Sequence, residues 1–273
     1  MHDKLEHLRF ATVGDNCIDR FMPIGQSLIG GNAVNVAVQL ARLGHSSFYF
    51  GAVGNDRDGL RTRHALMTNN VRVDYVQERS GATAYTNIQV LESGDRVIVY
   101  EDFGVCAGYA PEHAEIDILM TMSHVHIGWL DDGGFLKKKL INAGISVSQD
   151  LSVNADIGNL SARGLSVAFG SAGEDKAVAE AMIVEFLKSG AQLVVVTRGA
   201  YGSTVCDGAL RFDTGIEPVE VIDTTGAGDS FIAGFLSARL AGRSLQDCLR
   251  SGRKLAAFTC GHHGGFPQAP EQL

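Results

Sequence analysis

Val221-Ile222-Asp223-Thr224-Thr225-Gly226-Ala227-Gly228-Asp229-Ser230-Phe231-Ile232-Ala233-Gly234-Phe235 is the stretch on which the fold turns. It opens as a β-branched run, breaks at Gly226-Ala227-Gly228 and resumes as an apolar run. The pattern predicts an extended arm, a tight glycine turn and a helix start. Glycines let backbone N–H groups converge with no Cβ in the way, and a helix N-terminus adds about half a positive charge. Together they form a socket for an anion. Asp229 stands one residue past it. A carboxylate beside an anion site is costly unless it has a task, such as accepting a proton, so the pair points to phosphoryl transfer to a hydroxyl. The alternative is a capped helix start with Asp229 in its first turn for dipole reasons. The chain has no Gly-x-x-x-x-Gly-Lys-Ser/Thr loop, and Phe231 stands where a dinucleotide fingerprint needs its third glycine.

The chain of 273 residues is long enough for one large domain with a small appendage. Hydrophobic residues at 45% and charged residues at 20% fit a soluble globular protein. The net charge of −8, with no Lys/Arg-rich block, argues against a nucleic-acid surface. A nucleotide would then have to be held by backbone N–H groups, a few cations and a metal. Cys17, Cys106, Cys206, Cys248 and Cys260 are scattered, and their odd number argues for a reducing compartment. Met1 to His7 is charged and unlike a signal peptide, and no apolar run approaches the ~20 residues of a membrane span. The expected location is the cytoplasm, with no membrane partner.

Strand-like and helical runs alternate on either side of the opening stretch. Strands are predicted at Phe10–Val13, Ser47–Val53, His124–Ile127, Ile145–Ser148, Leu165–Ala168 and Leu193–Val196. Helices are predicted from Gly30-Gly31-Asn32 to Gly44, and at Leu60–Asn69, Phe135–Asn142, Asp175–Lys188, Asp229–Ala241 and Leu245–Cys260. Such β-α-β order favours a parallel sheet covered by helices. Thr83–Leu91 and Arg96–Tyr100 alternate around Ser93-Gly94-Asp95, which predicts a hairpin with one wet face. The hairpin does not fit the parallel sheet. It is expected to join the segment after Phe10 in a small separate sheet, about residues 14–30 and 83–102, lying as a lid over the carboxyl edge where ligands bind. No repeat or linker divides residues 1–273, so a single domain is expected.

In order along the chain, Gly30-Gly31-Asn32-Ala33-Val34-Asn35, Gly51-Ala52-Val53-Gly54-Asn55-Asp56 with Gly59, Val195 to Gly202, and Asp223 to Phe231 resemble the motifs of the ribokinase-type, or PfkB, carbohydrate kinases. The resemblance spans nearly the whole chain. Gly14 to Asp19, Gly30 to Val38 and Asp229 to Leu236 further resemble the fructoselysine 6-kinases within that family. It implies a three-layer α/β/α, ribokinase-like fold with a β-sheet lid. It also implies transfer of the γ-phosphoryl group of ATP to a sugar hydroxyl, probed first as O6 of a fructosamine. A free-sugar kinase of fructokinase or ribokinase type, or a non-catalytic sugar-binding regulator, are the alternatives.

The resemblance also assigns roles. Asp229 would be the catalytic base, with Gly226, Ala227 and Gly228 offering N–H groups to the phosphoryl group. Asp15, Asp19, Gly30, Gly31 and Asn35 would meet the sugar, with Asp19 as a solvated loop acid and Asn32 as a helix N-cap the plainer alternatives. Thr197, Gly199, Gly202, Gly261 and Gly264 would meet the nucleotide. Glu174 would organise Mg²⁺ through water, and Asp223 and Thr225 would frame a K⁺ site. Two departures from the family pattern stand out. Ser171 replaces the usual Asn of Asn-x-x-Glu, and no arginine follows Asp150 until Arg163. His124 and His126 lack further zinc-like ligands, so His126 is expected to line the pocket near Trp129. Acids Glu101, Asp102, Asp131 and Asp132 could face a substrate amine or merely solvent. A lid with one wet face also invites a homodimer.

Overall fold

The computed structural model describes residues 8–90, 96–154 and 156–273. The hairpin turn expected at Ser93-Gly94-Asp95 and the charged run Met1 to His7 lie outside the described residues. In chain order the elements are β1 (Arg9–Val13), β2 (Cys17–Phe21), β3 (Gln26–Gly30), α1 (Asn32–Arg42), β4 (Ser46–Gly54), α2 (Arg57–Thr68), β5 (Arg72–Arg79), β6 (Tyr85–Val90) and β7 (Arg96–Asp102). There follow α3 (His113–Leu119), β8 (His124–Ile127), α4 (Phe135–Asn142), β9 (Val147–Asp150), β10 (Val167–Ser171), α5 (Lys176–Ser189), β11 (Val194–Thr197), β12 (Ser203–Cys206) and β13 (Arg211–Thr214). The chain closes with α6 (Ala227–Leu240), α7 (Leu245–Cys260) and β14 (Glu271–Gln272).

The main sheet runs β13-β12-β11-β10-β9-β8-β1-β4-β5. All pairings from β5 to β11 are parallel, and β12 and β13 extend the sheet antiparallel. Alternate residues of each strand face opposite sides. Ala11, Val13, Val194 and Val196 pack with α3, α4 and α5, while Phe10, Val195 and Phe169 pack with α1, α6 and α7. That gives the three layers. Residues 32–40 of α1 are buried on every side, so its polar side chains must find partners inside: Asn32 and Asn35 donate to Asp229, and Gln39 to Gly265 O. α7 instead buries only a stripe, Cys248, Leu249, Gly252 and Thr259, against α6.

A second sheet runs β14-β3-β2-β6-β7. It is the expected lid, with β14 added from far along the chain. Gln268 anchors that addition, its side chain accepting from the Ile29 N–H and donating to the Ile29 carbonyl, both at 2.8 Å.

Two boundary shifts matter for the site. The strand expected at Ile145–Ser148 lies at Val147–Asp150. The reason is local: the N–H groups of Gly144 and Ile145 donate to Ile141 O and Leu140 O and close the end of α4. The shift carries Asp150 to the end of a strand. Likewise α6 begins at Ala227, with Gly226 as its N-cap, which puts Asp229 in the first turn.

Candidate active site

β1, β8, β9, β10 and β11 bring their carboxyl ends to one edge of the sheet, the edge where open α/β sheets bind ligands. Asp15 lies just past β1, Trp129 just past β8, and Asp150, Ser171 and Thr197 end their strands. α6 points its first turn at the same edge.

Asp229 is held by two amides from α1. Asn32 Nδ2 donates to Oδ1 and Asn35 Nδ2 to Oδ2, each at 2.7 Å. Asn32 and Asn35 stand three apart, so one helix face presents both. Asn32 Nδ2 also reaches Asp150 Oδ2 at 3.1 Å. Burial is the main influence on Asp229, and it outweighs the two amides. With the nearby carboxyls of Asp150 and Asp15 it pushes the acid up to about 7. Burial likewise pushes Asp150 up to about 6. A carboxyl poised there can accept a proton near neutral pH.

Gly226 has φ of 72°, a region glycine enters freely. A Cβ there would overlap Gly265 Cα, and Gly265 itself packs on the Asn35 amide. The glycines therefore bring the α6 turn, α1 and the Gly264-Gly265 loop into contact. The Ala227 N–H donates to Thr224 O at 3.2 Å within the turn. Among the described residues the N–H groups of Gly226 and Gly228 have no acceptor. A Cβ on Gly228 would meet nothing within 4 Å, so the turn itself does not demand glycine there.

On the sugar side, Asp15 accepts from three backbone N–H groups: Asn32 at 2.7 Å, Ala33 at 3.2 Å and Trp129 at 3.0 Å. It thus caps α1 from outside and ties β8 to it; burial still raises it above the usual carboxylate range. Asp19 is no solvated loop acid, since it lies on β2 and is buried. A Cβ on Gly30 would come within 2.5 Å of its Oδ2. Gly31, at φ of 99°, is the N-cap of α1. Asn32 is therefore the first helical residue and not the cap. Asn35, expected at a sugar hydroxyl, gives its N–H to Asp229, and its buried Oδ1 has no partner among the described residues. Glu101 on β7 is raised by burial first and by the Asp15 carboxyl second. Phe103, just past β7, stacks on Trp129 with centroids 3.9 Å apart, which joins lid to body beside Asp15.

His126 does not line a pocket. It is fully buried, between Asn32 and Ser148. Among the described residues no group of three His, Cys, Asp or Glu side chains could hold a metal ion.

A cleft of about 380 Å³ opens on the other side of the socket. Thr197, Gly199 and Gly202 line it, together with Thr224, Ala227 and Gly228 from the α6 turn. The expected nucleotide contacts Gly261 and Gly264 do not; Cys260 lines it instead. Gly264 donates to Asp223 Oδ2 at 2.9 Å, and Thr225 donates to Asp223 Oδ1 at 2.7 Å. The Asp223 carboxylate therefore ties two loops together. Glu174 is exposed beside Gly199, and Ser171 lines the cleft. A single exposed carboxylate beside the cleft is compatible with Mg²⁺, which keeps several waters and takes few protein ligands.

The pfkB family carbohydrate kinase model matches residues 25–128 and 134–272. The chain belongs to that family. It is a carbohydrate kinase, a phosphotransferase with an alcohol acceptor. The chain is 34% identical over 258 residues to the fructoselysine 6-kinase of Escherichia coli, covering 94% of this chain and 98% of that one. It is 32% identical over 268 residues to the fructosamine kinase FrlD of Bacillus subtilis, covering 95% and 93%. Among solved structures, the ribokinase of Arabidopsis thaliana complexed with ribose and ATP superposes with a TM-score of 0.85 at 22% identity, over 94% of each chain. That likeness bears on the fold, which is ribokinase-like with a lid sheet. Among the described residues no helix is long and apolar enough to cross a membrane.

Sequence reasoning missed Asn32 and Asp150 as site residues. The signal for Asn32 was its spacing from Asn35. Asp150 was hidden by the two-residue strand shift.

Proposed function

We propose that this kinase transfers the γ-phosphoryl group of ATP to O6 of a fructosamine, a ketose carrying an amine such as fructoselysine. The supporting observation is the charge of the sugar side. Asp15 and Glu101 are raised above their usual range, and the charges acting on Glu101, Asp150 and Asp229 are mainly those of other carboxyls. A site of that kind favours a substrate that brings a cation, because an opposite charge within about 4–6 Å relieves such a shift. It disfavours sugar phosphates. The names of the two curated relatives point the same way.

In this reading Asp229 takes the proton of the attacking hydroxyl, while Asn32 and Asn35 hold its two oxygens toward the sugar. The Gly226 and Gly228 N–H groups face the developing charge on the phosphoryl oxygens, as preorganised donors do. Glu174 would hold Mg²⁺ through water, and that ion would neutralise phosphate charge. The loops tied by Asp223 and Thr225 would hold K⁺. Lid closure over Asp15 and Asp19 keeps water from the phosphoryl group.

An ADP-release assay over fructoselysine, fructose-asparagine, fructose, ribose and 2-keto-3-deoxygluconate tests the substrate. The fructosamines are expected to give the highest kcat/KM, and a free sugar ranking first would overturn the proposal. The same assay with tetramethylammonium in place of K⁺ should show lower kcat if the cation belongs there.

A further inference from the structure

A chain of buried polar groups leads away from Asp229 into the sheet, and the proposed chemistry uses none of it beyond Asn32. Asn32 Oδ1 lies 3.1 Å from His126 Nε2. His126 Nδ1 lies 2.9 Å from Ser148 Oγ, and Ser148 Oγ lies 2.8 Å from His124 Nε2. His124 Nδ1 lies 2.9 Å from Ser146 Oγ. His124, His126 and Ser148 are buried completely or nearly so. These groups sit on β8 and β9, the rigid centre of the main sheet.

With Asp229 ionised, as a base must be, and Asp150 ionised beside it, the direction of every bond in this chain is set from the site. The Asn32 amide has two hydrogens, and both are taken by carboxylates, Asp229 Oδ1 and Asp150 Oδ2. Its Oδ1 can then only accept. So His126 donates from Nε2 and its Nδ1 accepts from the Ser148 hydroxyl. Ser148 in turn accepts from His124 Nε2, and His124 Nδ1 accepts from Ser146. Both imidazoles are neutral with the proton on Nε2.

We propose that His126 is a positioning residue for phosphoryl transfer: by donating to Asn32 Oδ1 it prevents the Asn32 amide from flipping, and so keeps an N–H on Asp229 Oδ1. A flipped amide would set an oxygen against the Asp229 and Asp150 carboxylates. The neutral state is what the role requires. Burial lowers both histidines to about 3, so neither charges over the working range.

This inference rests on Asp229 as base, and the test separates the two ideas. The charged groups facing Asp229 are Asp15 and Asp150, and its amide partners are Asn32 and Asn35. Loss of the Asn32 hydrogen bond, which lowers the Asp229 pKa, must move the acid limb of the kcat profile to higher pH. His126→Leu is expected to lower kcat on the order of 10²-fold, with little change in sugar KM, and to shift that limb upward. His126→Gln keeps a donor and should recover both. Ser148→Ala, which removes the hydroxyl that holds His126 Nδ1 and so loosens the ring, should shift the limb the same way by less; it serves if His126→Leu does not fold. Equal losses in His126→Leu and His126→Gln, or a wild-type limb in His126→Leu and Ser148→Ala, would overturn the positioning role. Asp229→Asn retaining turnover would instead remove the base, whatever His126 does.

Discussion

Asp229 is gripped by two amides and opposed by two carboxyls, and its behaviour follows from that balance. Asp229→Asn should lower kcat by roughly 10²–10⁴ in the ADP-release assay, and near-wild-type turnover would remove it as base. The wild-type rate should rise with pH through about 7 as the carboxyl ionises. Stability should move the opposite way. The folded state raises this pKa well above the ordinary 3.8, so between pH 4 and pH 7 it binds more protons than the unfolded state. Stability carried by the protonated form is present below that window and is lost as pH rises through it. Thermal melts should therefore show Asp229→Asn gaining on the wild type as pH goes from 4 to 8. A constant difference would contradict the raised pKa. At this scale the sequence was informative about residue types and less so about partners. Asp229 and its glycines were legible because glycine turns and first-turn acids leave a local signature. The grip of Asn32 and Asn35 was not, because it joins residues nearly two hundred apart.

The start of α6 shows the same division at the level of elements. A left-handed N-cap at Gly226 and the close approach of Gly265 leave no room for a Cβ. Gly226→Ala should cost about 1–3 kcal/mol, read by urea denaturation, and should lower kcat by displacing both α6 and the Asn35 amide. Wild-type stability would show that the turn relaxes freely. The helices α4 and α7 are legible to the residue. β2, β3, β5, β12, β13 and β14 are not separately resolved from the sequence: most have five residues or fewer, and β5, though eight long, carries polar or charged residues at five positions. Their pairing is decided by neighbours distant in the chain, which local patterning does not report.

Across the whole molecule, the lid ends in β7, an edge strand with Val97, Ile98, Val99 and Tyr100 all exposed and Ile98 at 62%. An apolar edge of that kind pairs with something or aggregates. We propose that it pairs with the β7 region of a second copy. Sedimentation velocity should give a two-chain mass for the wild type and a one-chain mass for Ile98→Lys. A wild-type monomer at micromolar concentration would exclude that pairing.

The lid also draws its strands from Cys17–Gly30, Tyr85–Asp102 and Glu271–Gln272, with Leu273 N–H closing onto Gly25 O at 3.0 Å. During synthesis, β3 must therefore wait for residues at least 239 positions further along the chain before its outer edge is covered. Asn32 likewise waits for Asp229 of α6. The nascent chain thus carries an open sheet edge until that distant pairing forms, and the slow step of its maturation is expected to be this late closure.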